Sequence, residues 1–250
     1  MLPLRDRLPT RRFPIINCLL LAVNVLVFVW ERALMGVGYP PQRLLYDFGL
    51  VPRFFLHDPV GSMSSVLSSM FMHDPTGWAH IGGNMLYLWI FGDNVEDAMG
   101  RGRYALFYLL SGIAAAGAQI CIDPASNVPM VGASGAIAGV LAAYVSLYPR
   151  SPITVLNPVP ILWFFFGLFF EVPAWFVIGL FFVANAVSGY ASLGSHAGGV
   201  AFFAHLGGFV AGLFLVRIFI MAHRKQRYDP WNGFRSPRAR TTPRRPPWDA

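Results

Sequence analysis

Long apolar runs separated by short polar segments dominate the chain. A helix that crosses a bilayer needs about 20 apolar residues, and six segments reach that length, at roughly residues 15–34, 80–99, 104–122, 131–149, 172–190 and 197–221. This pattern predicts an all-α membrane protein built as a bundle of six transmembrane helices. It divides the chain into an N-terminal arm over residues 1–14, a membrane domain over 15–222 and a tail over 223–250.

The composition agrees with a membrane protein. Hydrophobic residues make up 55% of the 250 residues and charged residues only 12%, whereas a soluble domain carries roughly 25% charged residues. Charged side chains are scarce between Tyr104 and Ile220, which excludes a water-facing surface for most of the chain. The two cysteines, Cys18 and Cys121, belong to no metal-binding spacing and cannot build a disulfide framework.

The distribution of Lys and Arg predicts the orientation, because these residues accumulate in cytoplasmic loops. They lie in the N-terminal arm, in the loops after the second and fourth predicted spans, and in the tail. The other side has only Arg32, Arg43 and Arg53, all between the first two spans. We therefore expect both termini in the cytoplasm, in a multi-pass integral protein of the bacterial plasma (inner) membrane.

Three segments outside the spans carry further expectations. Residues 36–79 place apolar and polar positions at helical spacing, which predicts short helices lying partly in the outer leaflet. Residues 150–171 are apolar but interrupted by prolines, which predicts an interfacial or re-entrant piece. The basic, Pro-rich tail over 223–250 has no folded scaffold, so a disordered tail lying against anionic lipid is favoured over nucleic-acid binding.

Four polar side chains interrupt the apolar spans at a similar depth. His80 and Asn84 lie near the start of the second span, Ser134 near the start of the fourth and His205 near the start of the sixth. In the predicted orientation these spans run in the same direction, which puts Ser134 and His205 roughly 5–12 Å below the outer surface. Taken singly, such residues are more often packing or interhelical hydrogen-bonding groups. Their coincidence at one depth favours a catalytic site.

Small residues predict a close contact between the fourth and sixth spans, which would bring Ser134 to His205. A hydroxyl beside an imidazole is the arrangement of a base-activated nucleophile. No carboxylate has an obvious route to His205, so we predict a dyad. His80, Asn84 and the backbone N–H groups at Ser134 are suited to donate to a developing oxyanion. The small residues that allow the contact are Gly135 and Gly139 on the fourth span and Gly208 and Gly212 on the sixth.

Three segments resemble the rhomboid family of intramembrane serine proteases. They are GASGAIAG, which contains Ser134, AHLGGFVAG, which contains His205, and HIGGNMLYLWIFGDNVEDAMGRGRYALFYLLSG, which begins at His80. The resemblance covers nearly all of residues 15–220 and implies a rhomboid-like bundle. It implies that Ser134 is the nucleophile, that His205 is the general base, and that His80, Asn84 and the Ser134 amide surround the oxyanion. It also implies cleavage of transmembrane segments of single-span or polytopic proteins in the lipid bilayer, without metal or cofactor.

Two features depart from the family's pattern. Many relatives carry a Trp-Arg pair in the first long loop, which residues 36–79 lack, and an aromatic residue four positions after the serine, where this chain has Ala138. A catalytically inactive relative that binds transmembrane clients is the main alternative, and the presence of both Ser134 and His205 disfavours it. A transporter would show inverted repeats and broken helices at the midplane, and this sequence shows no repeat between its halves.

Overall fold

The computed structural model describes residues 2–157, 163, 167–191, 202–220, 228–229 and 233–234, and for residues 188–191, 228–229 and 233–234 only the backbone. The helices within these ranges are α1 (Ile15–Gly36), α2 (Pro41–Phe48), α3 (Pro52–His57), α4 (Met63–Ser68), α5 (Ala79–Met99), α6 (Arg101–Ile122), α7 (Ser134–Leu147), α8 (Ala174–Ala191) and α9 (Phe202–Phe219). The strands are β1 (Leu2–Asp6), β2 (Pro152–Leu156), β3 (Phe169–Pro173), β4 (Tyr228–Asp229) and β5 (Gly233–Phe234).

The six predicted spans overlap the helices α1, α5, α6, α7, α8 and α9. In the part of the chain that the structure describes, three helices are long and apolar enough to cross a membrane, namely α1, α6 and α9. The count of six crossings and the cytoplasmic termini stay predictions. The predicted start of the sixth span at residue 197 and most of the tail over 223–250 lie outside the described residues.

Helix α7 is the most enclosed helix of the bundle. Every residue of α7 from Gly135 to Tyr144 is buried. It packs against α5, α6 and α9, and α9 also packs along α6. A helix that is apolar on all sides is suited to such a position. The N-terminal end of α7, where Ser134 lies, meets the first turn of α9 and the second half of α6.

The start of α1 is fixed by a buried carboxylate on α5. Glu96 accepts hydrogen bonds from the backbone N–H groups of Asn17 at 2.7 Å and Ile16 at 3.2 Å. These amides have no partner within their own helix, so Glu96 caps α1. The Asn17 side chain donates to the Leu88 carbonyl at 3.0 Å and accepts from the Tyr104 hydroxyl at 2.8 Å. One end of α1 is thereby tied to both α5 and α6.

The connection between α1 and α5 contains the short helices α2, α3 and α4, as the spacing of its apolar residues predicts. This connection holds the loop that precedes α7. Leu50 and Met130 form an antiparallel bridge, and the Gly132 N–H donates to the Ser69 carbonyl at 2.9 Å. The backbone leading into Ser134 is therefore anchored to the α2–α4 connection.

A small antiparallel sheet joins the N-terminal arm to the segment after α7, in the order β1-β2-β3. The prediction of an all-α protein is wrong here, because the chain is mostly helical with this sheet added. The piece predicted as interfacial or re-entrant, residues 150–171, contributes β2 and the start of β3. β-branched residues in β2 favour a strand, but a five-residue apolar run has too few positions to reveal its periodicity. The partner strand β1 lies far away in the sequence.

A half-buried carboxylate, Asp6, attaches the sheet to the helices. Its Oδ2 atom accepts hydrogen bonds from Asn94 Nδ2 and from the Tyr144 hydroxyl, each at 2.7 Å. Burial raises the pKa of Asp6 from 3.8 to about 7, and the charge of Asp93 adds to the increase. A folded-state pKa above the unfolded value makes the protonated form the more stable one in the fold. The stabilising contribution is complete below about pH 4 and is lost as the pH rises through about 7.

We expect Asp6→Asn to remove this pH dependence, because the amide oxygen still accepts the two hydrogen bonds and the side chain stays neutral. The melting temperature of the parent protein in detergent should fall relative to that of the variant between pH 5 and pH 8. Thermal scans at half-unit pH steps measure the difference. Asp123→Asn, at an exposed carboxylate outside the sheet, is the control. Parallel curves for the parent protein and Asp6→Asn would contradict the prediction.

Candidate active site

Ser134 and His205, from α7 and α9, lie in direct contact. Ser134 is the first residue of α7 and His205 lies in the first turn of α9. His205 Nε2 is 2.7 Å from Ser134 Oγ, and His205 is buried. A neutral imidazole whose proton is on Nδ1 can accept a hydrogen bond from the Ser134 hydroxyl at Nε2. This is the geometry of a nucleophile beside its base.

Close contact between the backbones of α7 and α9 brings the two residues together. A Cβ atom added at Gly212 would lie 2.5 Å from the Gly139 carbonyl oxygen, and one added at Gly208 would overlap the Gly135 carbonyl. The four small residues named from the sequence therefore face one another. Any larger side chain at Gly208 or Gly212 would separate the helices and with them Ser134 and His205.

An aromatic side chain from α8 contacts the imidazole. The ring centroids of Phe181 and His205 are 5.9 Å apart, with an interplanar angle of 46°. Ala138, four residues after the serine, offers no ring, so Phe181 supplies this contact from a different helix. His205 Nδ1 is buried and has no hydrogen-bond partner among the residues that the structure describes. Phe181 could not be identified from the sequence, because no short sequence pattern shows how α8 packs against α9.

The His80 ring and the Ser134 hydroxyl border one small space beside Gly132. A Cβ atom built on Gly132 would lie 2.8 Å from His80 Nε2 and 3.4 Å from Ser134 Oγ. His80 Nδ1 lies 3.4 Å from the Asp74 backbone N–H, which makes it a weak acceptor. A neutral His80 with Nδ1 accepting carries its proton on Nε2, directed at this space.

Asn84 is bonded to a histidine that sequence reasoning did not single out. Asn84 Nδ2 lies 3.0 Å from His73 Nε2. Asn84 and His73 are both buried, and the His73 ring also packs edge-on against His80, with centroids 5.1 Å apart. His73 lies between α4 and α5, outside any helix of the structure, so the helical spacing over residues 36–79 assigned it no face or depth. Its one sequence signal is a histidine directly after the apolar residues MFM.

Burial lowers the pKa of His73 to about 4, and the neighbouring His80 adds to the decrease. His73 is therefore neutral near pH 7. Within the described ranges, no three His, Cys, Asp or Glu side chains converge in a way that could hold a metal ion.

Comparison with known proteins finds a family model and several relatives that match this chain. A family model described as Rhomboid domain matches residues 60–222. The chain is similar to Rhomboid protein 1, mitochondrial, of Saccharomyces cerevisiae, with 30% identity over 214 residues, which are 83% of this chain and 54% of that protein. It is 33% identical over 139 residues to Rhomboid protease GluP of Bacillus subtilis, covering 55% of this chain and 26% of that protein.

The chain spans about half of the yeast relative and about a quarter of the bacterial one. A third relative, the Presenilin-associated rhomboid-like protein, mitochondrial, of Bos taurus, is 28% identical over 142 residues, 55% of this chain and 34% of that protein. Two of these three relatives are mitochondrial by name, so the prediction of a bacterial plasma membrane gains no support from them.

Proposed function

The chain belongs to the rhomboid family of membrane proteins, and from that premise we propose that it is a serine endopeptidase that cleaves transmembrane segments of other membrane proteins. The contact of 2.7 Å between Ser134 Oγ and His205 Nε2 carries the proposal. A half-buried serine hydroxyl and a buried imidazole from separate helices form a base-activated nucleophile without further partners. The substrates are single-span or polytopic membrane proteins.

The reaction begins when His205 Nε2 takes the Ser134 proton and Ser134 Oγ attacks the scissile carbonyl carbon. The carbonyl oxygen becomes an oxyanion, which accepts hydrogen bonds from His80 Nε2, from an Asn84 N–H and from the Ser134 amide. His205 then gives its proton to the leaving amine, which breaks the peptide bond and leaves an ester on Ser134. Water, deprotonated by His205, hydrolyses that ester and restores the hydroxyl.

The imidazolium in this cycle forms without a carboxylate beside it. His205 Nδ1 has no hydrogen-bond partner among the described residues, so a dyad fits the site better than a triad. Phe181 limits rotation of the ring. A cation beside an aromatic ring is favourable when both are desolvated, so Phe181 also favours the transient imidazolium.

The test is cleavage by the purified protein in detergent of a panel of single-span membrane proteins. We expect at least one substrate to be cut within or next to its membrane segment. A fluorophosphonate probe should attach to Ser134, as peptide mass spectrometry would show. Ser134→Ala should abolish both signals. Ser146→Ala is the matched control, because Ser146 lies on the same helix and only bonds back to the Ala142 carbonyl at 2.7 Å. Client binding with neither cleavage nor labelling would refute the protease and favour an inactive client-binding protein.

We also propose the topology that the arginines predict: six crossings within the membrane domain over 15–222, both termini in the cytoplasm, and the tail over 223–250 against anionic lipid. Single cysteines at Asp58 and Asn127, in a background without Cys18 and Cys121, should react with an impermeant thiol reagent added outside intact cells. A cysteine at Arg227 should react only after permeabilisation. The reverse labelling pattern would show that the charge distribution predicts the wrong orientation.

A further inference from the structure

We infer that His73 is a positioning residue, which holds the Asn84 amide so that an N–H group faces the oxyanion. The inference rests on the proposed function. Its basis is a set of buried polar side chains from three separate segments: Glu31 on α1, His73 in the segment before α5, and Asn84 on α5. Hydrogen bonds between buried polar groups are strong because water does not compete for them, and they restrict how these groups are arranged.

Three hydrogen bonds fix His73. The Glu31 carboxylate accepts the His73 backbone N–H at 2.9 Å. The His73 Nδ1 atom lies 3.1 Å from the Phe71 carbonyl oxygen, and Nε2 lies 3.0 Å from Asn84 Nδ2. Since a carbonyl can only accept, Nδ1 carries the proton and Nε2 is left as an acceptor. His73 is fully buried, so water does not compete for these atoms.

This tautomer decides which way the Asn84 amide faces. An amide can rotate so that its oxygen and its NH₂ group exchange places. Only the NH₂ group can donate to the His73 Nε2 acceptor, and one N–H is then occupied while the second stays available. Without His73, the Asn84 oxygen could turn toward the site, where it would repel an oxyanion. His73 therefore selects the donating face of Asn84.

The segment that carries His73 is held at two points by adjacent residues of α1. Glu31 binds the His73 backbone, and Arg32 donates to the Pro75 carbonyl at 2.7 Å. The Arg32 guanidinium also lies over the Trp78 ring, 5.9 Å from its centroid. The segment is therefore fixed independently of Asn84, which a positioning residue requires.

Two amide variants separate the two ring nitrogens of His73. The Gln side chain in His73→Gln reaches the position of Nε2 and retains an acceptor for Asn84. The Asn side chain in His73→Asn reaches only the position of Nδ1 and retains the contact with Phe71. We expect His73→Gln to keep kcat within a few fold. For His73→Asn we expect kcat to fall by about 10- to 100-fold with KM nearly constant, as for loss of a transition-state interaction.

The double variant with Asn84→Ala shows whether His73 acts through Asn84. In the Asn84→Ala background, His73→Asn should cost little further activity, because the group it orients is gone. A purely structural role predicts lower melting temperatures with equal kcat for His73→Asn and His73→Gln, and that result would overturn the inference. So would an undiminished loss of kcat in the Asn84→Ala background.

The rate of fluorophosphonate labelling at Ser134 distinguishes failure of this inference from failure of the proposed function. If the parent protein neither labels at Ser134 nor cleaves, the protease proposal fails and the inference fails with it. If the parent protein labels and cleaves while both His73 variants match it, only the inference fails. Slow labelling in His73→Asn with normal labelling in His73→Gln supports both.

Discussion

Ser134→Ala and His205→Ala should each lower kcat by on the order of 10⁴-fold or more, and the double variant should be no slower than either. Ser134 supplies the attacking oxygen, and His205 makes it nucleophilic through the 2.7 Å contact. Because both groups serve one step, loss of either removes the whole contribution of the pair. Initial rates on a quantified transmembrane substrate, measured with concentrated enzyme and long incubation, give the comparison.

Folding must be shown for the same preparations. Both variants should keep melting temperatures close to that of the parent protein, since Ala fits at either position without a clash. Ser146→Ala should be fully active. If the two single losses multiplied in the double variant, Ser134 and His205 would be acting in separate steps, and the dyad would be refuted.

The contact between Ser134 and His205 could be predicted from the sequence because its determinants are local. Glycines spaced along two apolar helices mark the faces that can approach closely, and the rise of a helix gives the depth of each residue. In the structure these faces meet, with Gly212 against the Gly139 carbonyl. Periodicity and side-chain size are properties of short stretches, so they can be found in one sequence.

The features that escaped prediction depend on distant or irregular segments. The sheet needs β1 and β2, which lie on opposite sides of four long helices in the sequence. Phe181 reaches His205 through the packing of α8, whose register no local pattern records. His73 lies in a turn-rich segment between α4 and α5, so the helical spacing over residues 36–79 could not assign a direction to its side chain.

The structure also changes the account of Asn84. The sequence predicts that its side chain either donates to the oxyanion or forms an interhelical hydrogen bond. In the structure, Asn84 Nδ2 lies 3.0 Å from Nε2 of His73, a residue outside the helices, so this contact is not an interhelical one. Under our proposal, the contact that anchors the amide leaves its second N–H group as a donor for the oxyanion.

Gly132→Ala should lower kcat by roughly 10²- to 10³-fold, the loss expected when an oxyanion site no longer functions. The added methyl group would lie 2.8 Å from His80 Nε2 and 3.4 Å from Ser134 Oγ. That point is within hydrogen-bond reach of His80 and close to the nucleophile, which are the two requirements for the position of a developing oxyanion. The loop cannot easily move away, because the Gly132 N–H donates to the Ser69 carbonyl at 2.9 Å.

Backbone strain has to be separated from this steric effect, because Gly132 has a φ of +126°. Gly38→Ala provides the control, since Gly38 has a φ of +92° and an added Cβ there would meet nothing within 4 Å. Both variants should lose stability, by about 1–3 kcal/mol for a side chain at such a φ, and only Gly132→Ala should lose kcat. Combining Gly132→Ala with His80→Ala should cost no more than the larger single loss. Each change prevents His80 from donating to an oxyanion in this space, Gly132→Ala by filling the space and His80→Ala by removing the donor. Equal activity per folded molecule in Gly38→Ala and Gly132→Ala would mean that the space beside Gly132 takes no part in catalysis.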